Sequence, residues 1–252
     1  MTNYAPQPPE PRRFRIATVA GTTIDVRISF IVLAGLFVLL NLDDQVPLQF
    51  ALLWVPVLFV SVLIHELAHA GTIGAFGYGS SRIELGGWGG ETMNRRRAKP
   101  WQEVLISLAG PASSIALAYL LLFVATRMEL DRTNPLLVEF IQMMILANRA
   151  WGIFNLIPIV PLDGGQIMLH GLSQIIRPVV AFKVSTWVSI ALGVGLGIAA
   201  LVIWKALFVA IIAASLVMQN WARWQQFGRL RAAHEAASRS SGSPDSAGPD
   251  QF

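Results

Sequence analysis

The chain has 252 residues, 54% of them hydrophobic and only 13% charged, with a formal net charge of +4 and no cysteine. A charged share about half the usual one excludes an ordinary water-soluble domain, and the missing thiols exclude both a disulfide framework and a thiolate metal site. The basic residues stand beside apolar segments rather than in a stripe interleaved with aromatics, so they read as topology signals and not as a nucleic-acid surface.

In chain order, residues 1–13 are polar and Pro-rich and read as a disordered tail. The first two dozen residues hold no apolar segment, so no cleavable signal peptide is expected and the first spanning helix would act as an uncleaved anchor. Six apolar segments follow within a membrane domain at 14–227. The first, Ile28 to Leu42, is short for a span and is extended in this reading by Thr22 to Val26. The second runs from Leu48 to Phe76, the third from Val104 to Thr126 and the fourth from Leu136 to Ile157. Val184 to Trp204 and Ala206 to Ala222 complete the set, and residues 228–252 read as a second disordered tail. Lengths near 20 residues match a hydrocarbon core of ~30 Å at 1.5 Å per residue. The expected fold is therefore an all-α polytopic membrane protein with about six transmembrane helices.

Two stretches depart from simple spans. Arg82-Ile83-Glu84-Leu85, the glycine-rich run Gly86 to Gly90 and Glu91-Thr92-Met93 predict a small cytoplasmic β-hairpin. Ile83 and Leu85 would share one face, with Glu84 on the other. The hairpin's free edge would let an extended chain add as a strand, and a proline at Leu85 would block that pairing. Pro158-Ile159-Val160-Pro161-Leu162-Asp163-Gly164-Gly165 must break a helix. Broken backbone at membrane depth survives only where protein buries it or water reaches it.

Orientation follows from the basic residues. With the N-terminus cytoplasmic, 15 Lys and Arg fall inside: Arg12, Arg13, Arg15, Arg27, Arg82, Arg95, Arg96, Arg97, Lys99, Arg177, Lys183, Arg223, Arg229, Arg231 and Arg239. Only Arg127, Arg132 and Lys205 fall outside. Both termini are thus expected in the cytoplasm of a multi-pass cell-membrane protein.

Chemistry concentrates in His65-Glu66-Leu67-Ala68-His69. On a helix, residues four apart share a face, so both imidazoles can reach one ion, and Glu66 lies beside them to take a proton from water. A zinc ion needs a third protein ligand and an open position. Asp163 in the broken segment is the candidate. His65 lies 17 residues past Leu48, about 26 Å of helix, which puts it at the same membrane depth as Asp163 in the assigned topology. Asn155, seven residues after Asn148, is an amide on the helix that enters the break; an interhelical hydrogen bond is its simplest role. His170 reads as solvated or capping. Arg149 interrupts the fourth segment and would either pair with Glu139 or reach a polar cavity. Gly193, Gly195 and Gly197 permit close helix packing.

The elements VSVLIHELAHA, ISLAGPASS and NLIPIVPLDGGQI, in that order, resemble the site-2 protease family of intramembrane metalloproteases, and most of all its compact bacterial branch with the sporulation factor-processing proteases. The likeness spans roughly residues 15 to 222, leaving no room for a PDZ domain or a cystathionine-synthase-like pair. It implies one zinc per chain held by His65, His69 and Asp163, with Glu66 activating water. It also implies a contact of Asn155 with the substrate carbonyl or oxyanion. The implied partners are the lipid bilayer and a membrane-protein substrate, cut by regulated intramembrane proteolysis. A metal-ion transporter would show a second ligand cluster or a His-rich loop, whereas His170 and His234 stand alone. A catalytically silent binding relative would have no use for Glu66.

Overall fold

The computed structural model describes residues 13–19, 21–43, 46–94, 96, 98–127 and 134–240. Most of the N-terminal tail, the last 12 residues, and Arg12, Arg95, Arg97 and Arg132 lie outside them. Mostly helical, the described residues carry five helices long and apolar enough to cross a membrane, a shorter apolar helix and a small sheet. It falls into two compact units: residues 1–97 with 113–150, and residues 98–112 with 151–252.

The first unit opens with β1 (Arg13–Val19) and β2 (Thr22–Arg27), an antiparallel pair turned at Gly21, whose φ of 82° favours glycine. Thr22 to Val26 is therefore a strand and not an extension of the first span. Its β-branched Thr22, Thr23, Ile24 and Val26 suit a pleated surface, and Ile24 and Val26 are buried. The helix α1 (Ile28–Leu40) has 13 residues, about 20 Å, too short to cross unaided. Next come α2 (Leu48–Ala51), α3 (Trp54–Ala75), β3 (Ser81–Gly86) and β4 (Gly89–Asn94). The predicted hairpin is β3–β4, turned through Gly87 and Trp88.

Strand order is β1-β2-β3-β4, with β2 and β3 parallel. This corrects the expected free edge at Leu85. β3 is paired on both sides and Leu85 is fully buried, while the outer edges belong to β1 and β4.

One sheet face presents Ile24, Val26, Ile83 and Leu85 to the interior. The other carries Asp25 and Glu84 side by side, buried among arginines: Arg82 and Arg15 pair with Asp25, and Arg27, Arg82 and Arg13 with Glu84. Buried carboxylates persist only with such partners. Burial pushes the Asp25 carboxyl up, but hydrogen bonds and charge from Arg82 and Arg15 together hold it below its ordinary value.

The helix α4 (Pro100–Arg127) contains Pro111, and α5 runs Pro135–Asn155. In the first unit, Val57 of α3 packs on Met143 and Met144 of α5, with Leu117 and Leu121 of α4 around them. Asn148 ties α5 to α3, its Nδ2 donating to Ser61 Oγ at 2.9 Å and to its own helix at Met144 O. Arg149 is exposed and, among the described residues, forms no ion pair with Glu139.

In the second unit, α6 (Asp163–Leu172) follows the break, then α7 (Pro178–Val202) and α8 (Leu207–Ser240). α6 was not expected; 10 residues with two leading glycines carry too little helical pattern. α8 continues past residue 228, where the sequence suggested the tail begins, to Ser240. α7 and α8 lie against each other, with Gly193 and Gly197 of α7 meeting Val217 and Ala213 of α8. Of the three glycines expected to permit this, Gly193 does so most clearly: a Cβ there would meet Val217 Cγ2 at 2.7 Å. Gly197 faces Ala213, and Gly195 has nothing near it.

Candidate metal centre

His65, Glu66 and His69 are buried on α3. The two imidazole centroids are 4.8 Å apart with the rings nearly perpendicular, on the one helix face that the four-residue spacing gives them. His65 Nδ1 shares a hydrogen bond with Ser114 Oγ at 3.1 Å. That bond orients the ring, as an outer-shell partner does for a metal-binding histidine. Ser114 is fully buried on α4, three residues past Pro111.

The hairpin closes over Glu66. Gly90 and Thr92 lie opposite Leu85 and Ile83, on the sheet face turned toward α3. A Cβ on Gly90 would overlap the Glu66 Cγ and Oε1 atoms. Thr92 Oγ1 donates to Glu66 Oε2 at 2.7 Å and stands 3.2 Å from the Glu66 main-chain oxygen. Glu66 is thus held by glycine on one side and a hydroxyl on the other.

Asp163 is the first residue of α6 and is half-buried. The chain before it, Leu156 to Leu162, is non-helical. Its backbone is held by side chains: Val160 N donates to Ser189 Oγ at 2.9 Å, and Asn220 Nδ2 donates to Val160 O. These bonds replace the helical partners that the two prolines remove. Gly164 and Gly165 are needed for close approach, since a Cβ at either would overlap the main chain of Leu156 or of Ile159 and Val160.

One ligand atom from each of His65, His69 and Asp163 lies within 4.8 Å of the others. Zinc ligands at ~2.0–2.2 Å in tetrahedral geometry stand ~3.4 Å apart, so two imidazole nitrogens and a carboxylate in this spacing suit such an ion, with one position left open. Among the described residues His170 is not part of this group. Asn155 is buried at the end of α5, and its Nδ2 donates to Trp151 O at 3.0 Å, within the helix. The interhelical hydrogen bond weighed for it belongs instead to Asn148.

Sequence reasoning overlooked Thr92, Ser114, Ser189 and Asn220. Three of these are polar side chains inside apolar helices, which is itself a signal, since such groups need a partner. Thr92 gave none.

The five membrane-length helices and the small sheet define a polytopic membrane protein, and His65, His69 and Asp163 are a group that could hold a metal ion. A family model described as peptidase family M50 matches residues 128–199. A zinc metalloprotease of Methanocaldococcus jannaschii is 32% identical over 161 residues, 64% of this chain and 45% of that protein. A provisionally named zinc metalloprotease of Synechocystis is 30% identical over 164 residues, 61% of this chain and 42% of its own length. The chain thus spans less than half of these two relatives. One from Bacillus subtilis is 31% identical over 48% of this chain and 70% of its own length. The site-2 protease structure from Methanocaldococcus jannaschii shares the fold, with a TM-score of 0.63 at 23% identity over 84% of this chain and 94% of that one. This chain belongs to peptidase family M50, the site-2 protease family.

Proposed function

We propose that the chain is an intramembrane zinc metalloprotease that hydrolyses peptide bonds of membrane-embedded protein substrates. The observation that carries this reading is the convergence of His65, His69 and Asp163 ligand atoms within 4.8 Å, with Glu66 adjacent on the same helix. The relatives' names point the same way.

His65, His69 and Asp163 would hold one zinc ion. When bound, the ion supplies Lewis acidity toward water and the scissile carbonyl. Glu66 takes a proton from the attacking water at its carboxylate and delivers it to the leaving amine. Thr92 and Gly90 keep that carboxylate in place. Asn155 donates its amide to the substrate carbonyl as negative charge develops there. A substrate helix hides its peptide bonds and must unwind locally. An unwound segment can add to the sheet only at an outer strand, and pairing at β4 would bring it beside Glu66.

The charge distribution supports cytoplasmic termini, with the centre toward the cytoplasmic side. Impermeant labelling of single cysteines in intact cells tests it: positions at Arg96 should be shielded and positions at Asp44 reactive, and the reverse pattern would overturn it.

The decisive experiment compares membrane-protein fragments in cells carrying wild-type protein or Glu66→Gln. Fragments should accumulate only with wild type, while the purified variant retains zinc. Continued cleavage by Glu66→Gln would refute the mechanism.

A further inference from the structure

The ends of α7 and α8 remote from their connecting turn hold a cation that the proteolytic reading leaves unused. A groove of about 220 Å³ is lined there by Val179, Phe182, Arg223, Gln226, Phe227 and Leu230. Four of the six are apolar, and none is acidic. The Arg223 guanidinium stacks over Phe182, 5.4 Å from the ring centroid. Its Nη1 is buried and has no hydrogen-bond partner among the described residues. A ring face attracts the charge but leaves the N–H group unsatisfied, and a buried donor without an acceptor is costly. The groove therefore lacks an acceptor.

Its depth identifies the acceptor. Arg223 lies 16 residues beyond Leu207 and Phe182 lies 20 before Val202, about 24 and 30 Å along their helices. With a hydrocarbon core of ~30 Å, the groove opens at the headgroup level on the side away from the turn. Trp187, Trp221 and Trp224 cluster beside it, with ring centroids 5.5 and 6.4 Å apart, as tryptophans do at a membrane interface. Lys183 adds a second cation, 6.0 Å from the Phe227 ring centroid. Arg223 and Lys183 form no ion pair among the described residues.

We propose that this groove is a binding site for an anionic phospholipid. The headgroup phosphate accepts from Arg223 with Lys183 nearby, and the first acyl carbons lie on Phe182, Phe227 and Leu230. Free phosphate would leave this apolar lining unused. A zwitterionic headgroup would bring its own cation toward two others.

The full chain, purified in neutral detergent, is titrated with phosphatidylglycerol, phosphatidylcholine or inorganic phosphate. Quenching of tryptophan by brominated acyl chains reports the lipids, and thermal unfolding reports all three. Phosphatidylglycerol should bind at least fivefold more tightly than phosphatidylcholine and raise the unfolding temperature. Phosphate at equal concentration should leave it unchanged. Arg223→Gln should weaken phosphatidylglycerol about five- to tenfold. Arg231→Gln, whose arginine pairs with Glu235 on the exposed face, should bind as wild type does. Equal phosphatidylglycerol binding by Arg223→Gln and wild type would overturn the site. Equal binding of the two lipids would overturn its anionic selectivity, and stabilisation by phosphate alone would make it a simple anion site. If Arg223→Gln does not fold, Lys183→Gln carries the comparison: weaker phosphatidylglycerol binding supports the site, and unchanged binding refutes it.

Discussion

Thr92 Oγ1 donates a 2.7 Å hydrogen bond to Glu66 Oε2, joining β4 of the hairpin to the proposed base on α3. Such a bond to a carboxylate is worth about 1.5–3 kcal/mol, and misplacing a reacting group by about 1 Å can cost 100-fold in rate. Thr92→Val, which keeps the shape and removes the hydroxyl, should lower kcat about 10- to 100-fold, with KM and zinc content unchanged. Thr92→Ser should restore most of the rate. Steady-state kinetics on a single-span substrate, with metal analysis in parallel, checks this. Equal impairment of both variants would mean that the threonine methyl matters and not the hydrogen bond.

The metal centre makes its own prediction. His65→Ala, His69→Ala and Asp163→Ala should each reduce zinc from one per chain to well below half, read on detergent-purified protein. His170→Ala should keep full occupancy. Asp163→Ala with full zinc and activity would place the third ligand elsewhere.

Ser114 acts on the same centre from outside. Ser114→Ala frees His65 Nδ1, and loss of such an outer partner typically costs 10- to 100-fold in metal affinity. Competition with a chelator of known affinity measures it. Unchanged affinity would show that packing alone orients His65.

The glycines after Asp163 should tolerate no side chain. A Cβ at Gly164 would overlap the Leu156 carbonyl, and main chain cannot move aside as a side chain can. Gly164→Ala should cost more than about 3 kcal/mol and abolish zinc binding. Gly193→Ala meets only the tip of Val217 and should cost about 1 kcal/mol or less. Thermal unfolding in one detergent ranks them, and equal melting temperatures would contradict the packing.

The Asp25 cluster sets an acid limit. Its folded pKa is depressed, so its stabilisation is fully present above the ordinary aspartate value of about 3.9. That contribution is lost as pH falls through the lower folded value. Stability should be insensitive to this group between about pH 5 and 7 and should decline below about pH 4. Asp25→Asn should be less stable near neutral pH and show a weaker acid decline. A variant as stable as wild type there would show that the ion pairs contribute nothing net.

The sequence by itself determined the membrane class, most helix positions and the His65-Glu66-His69 triad. Each rests on local rules: apolar run length, proline in a helix, and the four-residue spacing that puts two side chains on one face. Only the tertiary structure decided that Thr22 to Val26 is a strand, because its pairing partner β3 lies far along the chain, Thr23 meeting Arg82 and Val26 meeting Leu85, and no local pattern names it. The same holds for the partners of the site. Thr92 reaches Glu66 across 26 residues, Ser114 reaches His65 across 49, and Asn220 reaches Val160 across 60. A hydroxyl or amide has no sequence signature for what it will bond to, since its partner is set by where other elements pack.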